Sequence, residues 1–276
     1  MNKQDYKDEL VKLEKDLHIP LHCWDGKFKQ KKYNEYSVSL CTTVMNRLVD
    51  LKETLPKNVE FNKDYPNVEF VILDYNSKDG LGDWIKKEMG DFIESGTVSY
   101  YRTEEPEFYS MTHSRNLAFK AARGTIVNNV DADNFTNSGF ASYLNKLANE
   151  RPAHAIFAKG KRMLRGRLGF FKHEFIDLLG GYDEQIEDYG HDDWDMMNRA
   201  LSMGFKLMWF GGDYYANCGS KKYQTGNMRE TNWRFTEVRN KVISARNILA
   251  GKLKANVGKE WGKAKLVKNF KQEVLL

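Results

Sequence analysis

Two aspartates separated by one residue, Asp131 and Asp133, lie in the segment 128–134, which directly follows a short apolar run at residues 125–127. In a strand, side chains at a spacing of two point the same way, so both carboxylates would reach from one strand end into the same cleft. Mg²⁺ and Mn²⁺ take oxygen ligands from one or two carboxylates and leave their other positions for water and substrate phosphates. The pair therefore predicts a divalent metal site, and the alternative is a polar turn that stabilises its own backbone.

A second acidic group, with the sequence Asp-Asp-Trp-Asp, opens a predicted helix. Carboxylates also favour a first helical turn without any catalysis, because they cap its N–H groups and complement its dipole. Trp194, Met197 and Leu201 form an apolar stripe that we expect to face the core. Asp193 borders this stripe and Asp192 lies nearly opposite it, so Asp193 is predicted at the inner boundary of the helix.

Apolar runs alternate with helical patterns in the βαβ order that predicts a mainly parallel sheet flanked by helices. In the first half, strands are predicted at Val38–Thr43, Val68–Leu73, Thr97–Arg102 and Thr125–Val130, with helices at Arg47–Leu55, Leu81–Ile93 and His113–Ala122. In the second half, strands are predicted at Ala153–Ala158, Arg167–Phe171 and Lys206–Phe210, with helices at His173–Leu179, Asp192–Met203 and Trp233–Leu249. The fold class is therefore α/β, with a mixed, mainly parallel central sheet and a C-terminal helical extension.

The polar segments 42–46, 74–80 and 131–134 each follow a predicted strand. Parallel strands place their carboxyl ends at one edge of the sheet, where open α/β sheets bind ligands. We therefore expect these loops to converge on one site.

The composition is that of an ordinary globular protein, with 276 residues, 41% hydrophobic residues and a mean hydropathy of −0.66. Its apolar runs are much shorter than the ~20 residues of a membrane span. The N-terminus lacks the apolar centre of a signal peptide, and the cysteines show no metal-binding or disulfide spacing, so a cytoplasmic location is expected.

The basic charge is concentrated at the C-terminus, where residues 251–276 carry seven lysines and two glutamates. This excess equals the formal charge of +5 of the whole chain. A lysine-rich tail forms either a solvated helix face or a contact with an anionic partner such as nucleic acid or a membrane surface. The predicted organisation is an N-terminal helical extension at 1–36, a catalytic domain at 37–230 and a helical, lysine-rich extension at 231–276.

Several motifs occur together in an order that is similar to that of family 2 glycosyltransferases and their galactosyltransferase-type relatives. The matching segments are residues 39–47, 72–80, 114–118, 129–133, 180–184 and 190–195. The resemblance covers about residues 37–215. It implies a GT-A fold that binds a nucleotide-diphosphate sugar through a divalent metal, Mn²⁺ or Mg²⁺, and transfers the sugar to an acceptor hydroxyl.

The resemblance also implies roles on the donor side. Asp74 would accept the imide hydrogen bond of uracil, and Thr43 and Arg47 would hold the base and ribose. Arg115 would contact the nucleotide, because a guanidinium fork fits a diphosphate or a base edge. A helix-start threonine, a surface arginine and an ordinary ion pair are the respective alternatives for Thr43, Arg47 and Arg115.

The metal and the acceptor complete the implied site. Asp133 would bind the metal directly, and Asp131 would approach the ribose and the metal's water shell. Asp193 would be the base that deprotonates the acceptor hydroxyl, with inversion at the anomeric carbon. Asp192 would hold acceptor hydroxyls.

The chain departs from the family pattern after its last predicted sheet strand. Many related enzymes have a histidine metal ligand there, whereas this chain has Tyr-Ala-Asn-Cys-Gly, ending at Gly219. Because the thiolate of Cys218 is a soft ligand for Mg²⁺ or Mn²⁺, the metal would depend on Asp133, phosphates and water.

The leading interpretation is an inverting transferase that uses a UDP-sugar, and its acceptor stays open between a saccharide or lipid-linked glycan and a hydroxymethylated base in DNA. The lysine-rich tail favours the DNA version. A catalytically silent module that binds nucleotide sugars or nucleic acid is the alternative from another class, but it predicts a broken metal or base motif. A nucleotidyltransferase would leave the Asp-Asp-Trp-Asp helix unexplained.

Overall fold

The apolar runs of the sequence become the buried strands of a three-layer α/β/α structure. The computed structural model describes residues 1–20, 33–151, 153–159, 167–219 and 224–276. In chain order the elements are α1 (Lys3–Asp16), β1 (Val38–Val44), α2 (Leu48–Asn62), β2 (Val68–Tyr75), α3 (Leu81–Glu88), α4 (Gly90–Glu94), β3 (Val98–Thr103), α5 (Met111–Ala121), β4 (Ile126–Asn129), β5 (Asn134–Phe135), α6 (Phe140–Glu150), β6 (Ala155–Lys159), β7 (Gly169–Phe171), α7 (Asp192–Ser202), β8 (Lys206–Phe210), β9 (Ala216–Asn217), α8 (Trp233–Leu249), β10 (Lys265–Lys268) and β11 (Gln272–Leu275). A π-helical turn covers Glu174–Leu178, and 3₁₀ turns cover Gly212–Tyr214 and Gln224–Asn227.

The main sheet of the described chain has the strand order β11-β10-β3-β2-β1-β4-β7-β6-β8. Strands β3, β2, β1 and β4 run parallel. Strand β7 is antiparallel to β4 and β6, and β10 is antiparallel to β3. The predicted mixed, mainly parallel sheet is therefore confirmed, and the predicted strands match the observed ones to within two residues at each end.

The two faces of the sheet bury separate apolar clusters. Leu55 of α2 and Phe140 of α6 belong to one cluster, and Phe119 of α5 and Met197 of α7 belong to the other. Strand β1 is buried along its whole length, as expected for a strand that is covered by helices on both sides. Helix α6 was not predicted from the sequence, although its buried apolar residues do repeat at helical spacing.

The C-terminal segment differs from the expected helical extension. Helix α8 is observed as predicted, but β10 and β11 then form an antiparallel hairpin that extends the main sheet beside β3. Asn269 and Phe270 adopt φ angles of 49° and 64°, which is the turn geometry that suits the twist of a hairpin. Phe270 stacks on Tyr100 of β3, with ring centroids 4.6 Å apart. The prediction of a wholly helical tail is thus wrong, because the turn at residues 269–270 folds this segment into two short strands that pair with each other and with β3.

The N-terminal helix α1 is observed as predicted and packs on α8. Tyr6 meets Phe235 edge to face at a centroid distance of 6.0 Å, and Glu9 pairs with Arg246 at 2.5 Å. The rest of the predicted N-terminal extension includes residues 21–32, which lie outside the described residues. Among the described helices, none combines the length and the apolar character that a membrane span requires.

The turn before α7 depends on Gly181, whose φ of 74° lies in the left-handed region. A Cβ atom there would come within 2.5 Å of the Trp261 ring and 2.7 Å of the Asn116 Oδ1 atom. We therefore expect Gly181→Ala to lower the free energy of unfolding by about 2–4 kcal/mol, which combines backbone strain with overpacking. Urea denaturation measures this change.

Gly204→Ala is the matched control. Gly204 also has a left-handed φ, of 87°, but no atom lies within 4 Å of its Cβ position. Its substitution should cost only the backbone strain, about 1 kcal/mol. Equal losses for the two variants would contradict the packing argument.

Candidate active site

The loops that follow β1, β2 and β4 meet at one edge of the sheet, as predicted. The Asn46 N–H donates to Ser77 Oγ at 3.0 Å, and the Lys78 N–H donates to Asn46 Oδ1 at 2.7 Å. Arg47 Nη2 lies 3.4 Å from Asp133 Oδ2. These contacts join the three loops into one wall.

Two adjoining cavities open along this wall, and they share Met111, Arg115, Asp131 and Asp133. Thr43 and Arg47 line the first cavity, together with Tyr109 and the segment around Asn227. The second cavity is lined on its far side by the start of α7 and the start of α8. Its lining there consists of Tyr189, Gly190, His191, Asp192, Asp193, Trp194, Trp233 and Glu237.

Arg115 lies at the junction of the two cavities and is almost completely buried. Its Nη1 atom binds Asp192 and lies 3.0 Å from Asp193 Oδ1, and its Nη2 atom lies 3.5 Å from Asp131 Oδ1. Burial alone would lower the pKa of Arg115, but Asp193 and Asp192 raise that pKa well above its usual value. One guanidinium therefore holds together carboxylates from two distant parts of the chain.

Asp193 has a second contact, because the Tyr182 hydroxyl donates to its Oδ1 atom at 3.4 Å. The Arg115 guanidinium lies 5.4 Å from the centre of the Tyr182 ring. The sequence indicated Tyr182 only as part of a loop motif, and its position beside Asp193 depends on how α5 packs against the turn before α7.

The helix with the Asp-Asp-Trp-Asp motif is oriented differently from the prediction. Met197 and Leu201 are buried as expected, but Trp194 is 45% exposed and lines the second cavity. Asp192, which was predicted on the opposite side, is 4% exposed and binds Arg115 beside Asp193. The prediction for Trp194 is wrong because the first turn of α7 extends past the core to the cavity.

Asp74 is the predicted site residue that the structure does not bring to the cavity wall. It is fully buried at the end of β2, where Tyr100 Oη and Arg102 Nη1 donate to its Oδ2 atom at 2.6 Å and 2.5 Å. The Ser77 N–H donates to its Oδ1 atom at 2.8 Å. Asp74 thus stabilises the loop, and its role in uracil recognition stays a prediction.

Asp79 has a structural role in the same loop. Its Oδ2 atom accepts a hydrogen bond from the Leu48 N–H at the start of α2, at 2.8 Å.

The first cavity contains residues that sequence analysis missed. The Tyr109 hydroxyl lies 2.6 Å from Thr43 Oγ1, and the Tyr109 N–H donates to the Asn227 carbonyl at 2.7 Å. Asn227 Nδ2 in turn donates to the Met45 carbonyl at 2.8 Å. No local pattern marks Asn227, because only the tertiary fold brings residues 224–228 over the loop after β1.

The carboxylate pair fits a divalent cation. Burial raises the pKa of Asp131 to about 6. Arg115 opposes this shift, and the Asp133 carboxylate adds to it. A cation between the two carboxylates would therefore relieve their mutual repulsion. Among the described residues, no group of three or more His, Cys, Asp or Glu side chains is arranged to hold a metal. Asp131 and Asp133 would therefore hold the ion with phosphate and water oxygens. Cys218, in contrast, directs its Sγ atom toward Asp50 at 3.6 Å.

The raised pKa of Asp131 predicts a pH effect on stability. The folded pKa of about 6 exceeds the ordinary value of 3.8, so this group favours folding when protonated, and the benefit is lost as the pH rises from about 4 through 6. Between about pH 4 and pH 7, the free energy of unfolding of the metal-free wild type should fall relative to that of Asp131→Asn. The expected decrease is on the order of 1 kcal/mol after discounting for solvent screening. Urea denaturation at both pH values measures it, and a pH-independent difference would contradict it.

Removal of the buried Arg115 guanidinium should have a large effect on stability. Arg115→Met would leave Asp131, Asp192 and Asp193 without their shared partner, and we expect the free energy of unfolding to fall by about 3–5 kcal/mol. Arg246→Met is the control, because Arg246 pairs with Glu9 at the surface and should lose less than about 1 kcal/mol. Chemical denaturation gives both values, and similar losses would argue against the role of Arg115.

Comparison with known proteins assigns the chain to a family. Residues 39–200 match the family model described as glycosyl transferase family 2, which covers more than half of the chain. No curated protein sequence matches the chain.

Solved structures share the fold. The mannosyltransferase PcManGT from Pyrobaculum calidifontis, solved with GDP-Man and Mn²⁺, is 17% identical, with a TM-score of 0.57 over 90% of this chain and 83% of that chain. Residues 1–349 of TarS from S. aureus, solved with UDP, are 15% identical, with a TM-score of 0.54 over 65% of this chain and 59% of that chain. At these identities the likeness shows the GT-A fold alone. The chain belongs to glycosyl transferase family 2 and is a glycosyltransferase with a GT-A fold.

Proposed function

We propose that this protein transfers a sugar from a UDP-sugar to an acceptor hydroxyl, with a divalent metal and with inversion at the anomeric carbon. The observation that carries the proposal is the shared cavity: Asp131 and Asp133 line one side, Asp193 lines the other, and Arg115 lies between them. This arrangement suits a donor diphosphate on the first side and an acceptor hydroxyl on the second.

On the donor side, the first cavity would hold the nucleotide. Thr43, Arg47 and Tyr109 would contact the base and ribose, and Arg115 would contact the diphosphate with its guanidinium. Asp133 and Asp131 would hold Mn²⁺ or Mg²⁺, which supplies Lewis-acid stabilisation of the leaving diphosphate. Proteins with a similar fold were solved with related ligands: TarS with UDP, and PcManGT with GDP-Man and Mn²⁺.

On the acceptor side, Asp193 would accept the proton of the attacking hydroxyl. The acceptor oxygen forms a bond to the anomeric carbon, the bond from that carbon to the phosphate oxygen breaks, and UDP leaves with the electron pair. Arg115 and the Tyr182 hydroxyl orient Asp193 for this proton transfer. Asp192, which also binds Arg115, would hold further acceptor hydroxyls.

Calorimetric titration with UDP, GDP and a panel of their sugars, with and without Mn²⁺, tests the proposal. We expect UDP and one or more UDP-sugars to bind in the presence of Mn²⁺ and to bind at least about tenfold more weakly without it. Binding of GDP-sugars alone would overturn the assignment of the base. No binding of any nucleotide would overturn the proposed function as a whole.

A further inference from the structure

Helix α2 buries a row of polar side chains on the face that it turns toward the loop after β4. Thr54, Asn58 and Asn62 follow each other at a spacing of four, so they lie on one face of the helix. Their exposed fractions are 1%, 5% and 1%. Threonine and asparagine are weak helix formers, and a buried amide costs free energy unless its polar atoms are hydrogen-bonded. Leucine or alanine would pack this helix on the sheet at a lower cost, so packing alone does not explain the row.

The first residue of the row binds the backbone in the middle of the acidic pair. Thr54 Oγ1 donates to the Ala132 carbonyl at 2.6 Å, and Ala132 is the residue between Asp131 and Asp133. The Asp50 carbonyl, one turn earlier in the same helix, is farther from this hydroxyl, at 3.2 Å. The threonine hydroxyl therefore fixes the peptide unit that joins the two aspartates.

The next two carbonyls are also held from outside the loop. The Cys218 N–H, just after β9, donates to the Asp133 carbonyl at 2.9 Å. Asn58 Nδ2 donates to the Asn134 carbonyl at 2.9 Å. Three successive carbonyls thus each accept a hydrogen bond from another part of the fold. Because the backbone is held at three consecutive residues, the two carboxylates project from a preorganised support.

The row continues to Asn62, whose contacts lie beyond the acidic pair. Its Nδ2 atom donates to Thr136 Oγ1 at 2.9 Å, and its Oδ1 atom accepts from the Ala141 N–H at 2.8 Å. Asn58 Oδ1 similarly accepts from the Thr136 N–H at 2.8 Å. The two asparagines are therefore alike in burial and in the type of their hydrogen bonds, but only the bonds of Asn58 reach the residue next to Asp133.

We propose that Thr54 and Asn58 are positioning residues for the proposed metal site, because they fix the backbone that carries Asp131 and Asp133. The inference rests on the proposed function and deepens it, since it adds the residues that keep the pair ready for a divalent cation. Neither side chain lines the two cavities, so each acts through the loop that it holds. Removal of a group that orients metal ligands commonly lowers metal affinity by about 10–100-fold.

Thr54→Val tests the inference with the least change in shape, because it removes the hydroxyl and keeps the size of the side chain. Calorimetric titration of Mn²⁺ in the presence of UDP should show an affinity about tenfold lower than that of the wild type. Thr54→Ser keeps the hydroxyl and should bring the affinity to within about threefold of the wild type. A wild-type affinity in Thr54→Val, or the same loss in Thr54→Ser, would overturn the inference. If the wild type bound neither UDP nor Mn²⁺, the proposed function itself would be overturned.

Asn58→Leu and Asn62→Leu separate positioning from a loss of stability. Both remove the same kind of buried hydrogen bonds from the same face of α2, so urea denaturation should give similar decreases in the free energy of unfolding. The Mn²⁺ affinity should fall about tenfold in Asn58→Leu and stay within about twofold of the wild type in Asn62→Leu. Equal losses of Mn²⁺ affinity in the two variants would overturn the inference.

The preference between cations gives a third readout. Mg²⁺ requires a nearly octahedral arrangement of ligands, whereas Ca²⁺ tolerates a varied one. Competition against Mn²⁺ in the presence of UDP should therefore show that Thr54→Val loses about tenfold in affinity for Mg²⁺ and less than about threefold for Ca²⁺. A general loss of folded protein would lower both affinities equally, and an unchanged ratio of the two would overturn the inference.

Discussion

Asp193→Asn is expected to lower kcat by about 10²–10⁴-fold, because it removes the group that would accept the acceptor proton and keeps the size of the side chain. The affinity for UDP with Mn²⁺ should stay close to that of the wild type, since Asp193 faces the second cavity and does not line the first. Steady-state UDP release with donor and acceptor measures kcat, and calorimetry measures the affinity.

The main alternative explanation for such a loss is damage to the cluster around Arg115. Arg115 keeps Asp192 and Asp131 as partners in Asp193→Asn, so the free energy of unfolding should change much less than in Arg115→Met. Asp91→Asn, an exposed carboxylate on α4 outside the cavity, is the control for the loss of a charge. A kcat within about threefold of the wild type would remove Asp193 from the mechanism.

Asp133→Ala and the isosteric Asp133→Asn are expected to lower turnover by about 100-fold or more, because the proposed metal would supply several kcal/mol of charge stabilisation to the leaving diphosphate. The loss should persist at high Mn²⁺ concentration. Titration of Mn²⁺ in the presence of UDP should show a matching loss of metal affinity, and this readout is independent of turnover.

Asp50→Asn is the matched control for this pair. Arg47 binds both Asp50 and Asp133, so either substitution removes one carboxylate partner of the same guanidinium. Asp50 does not line the cavity, and its variant should keep the dependence on Mn²⁺. If the two variants lose Mn²⁺ dependence equally, the effect of Asp133 acts through Arg47 and the metal assignment is wrong.

The sequence predicted the strands that carry the site because their signal is local. Each parallel strand is a short apolar run followed by a polar turn, and this pattern is read within a few residues. It also predicted that the loops after β1, β2 and β4 would meet, since parallel strands end at the same edge. Thr43, Arg47, Arg115, Asp131 and Asp133 accordingly line one cavity.

Orientation at the edge of the core was less predictable. Helical spacing assigned Trp194 to the apolar stripe of Met197 and Leu201. Periodicity does not show at which residue of a helix the packed core ends. The first turn of α7 projects beyond the core, so Trp194 lines the second cavity and Asp192 pairs with Arg115. Asp74 also departs from its predicted place in the site, for a related reason. The register of β2 with β3 places it opposite Arg102, and its carboxylate forms an ion pair with that residue.

The chain by itself therefore determined the order of its elements, the edge of the sheet at which chemistry can occur and the residue types that are available there, because periodicity and turn chemistry act over a few positions. Only the tertiary structure decided that Arg115 joins carboxylates 77 and 78 residues away and that α8 supplies Trp233 to the wall opposite Asp131 and Asp133. Those contacts depend on how helices pack across the sheet, and packing is set by the combined shape of many side chains, which no short segment contains.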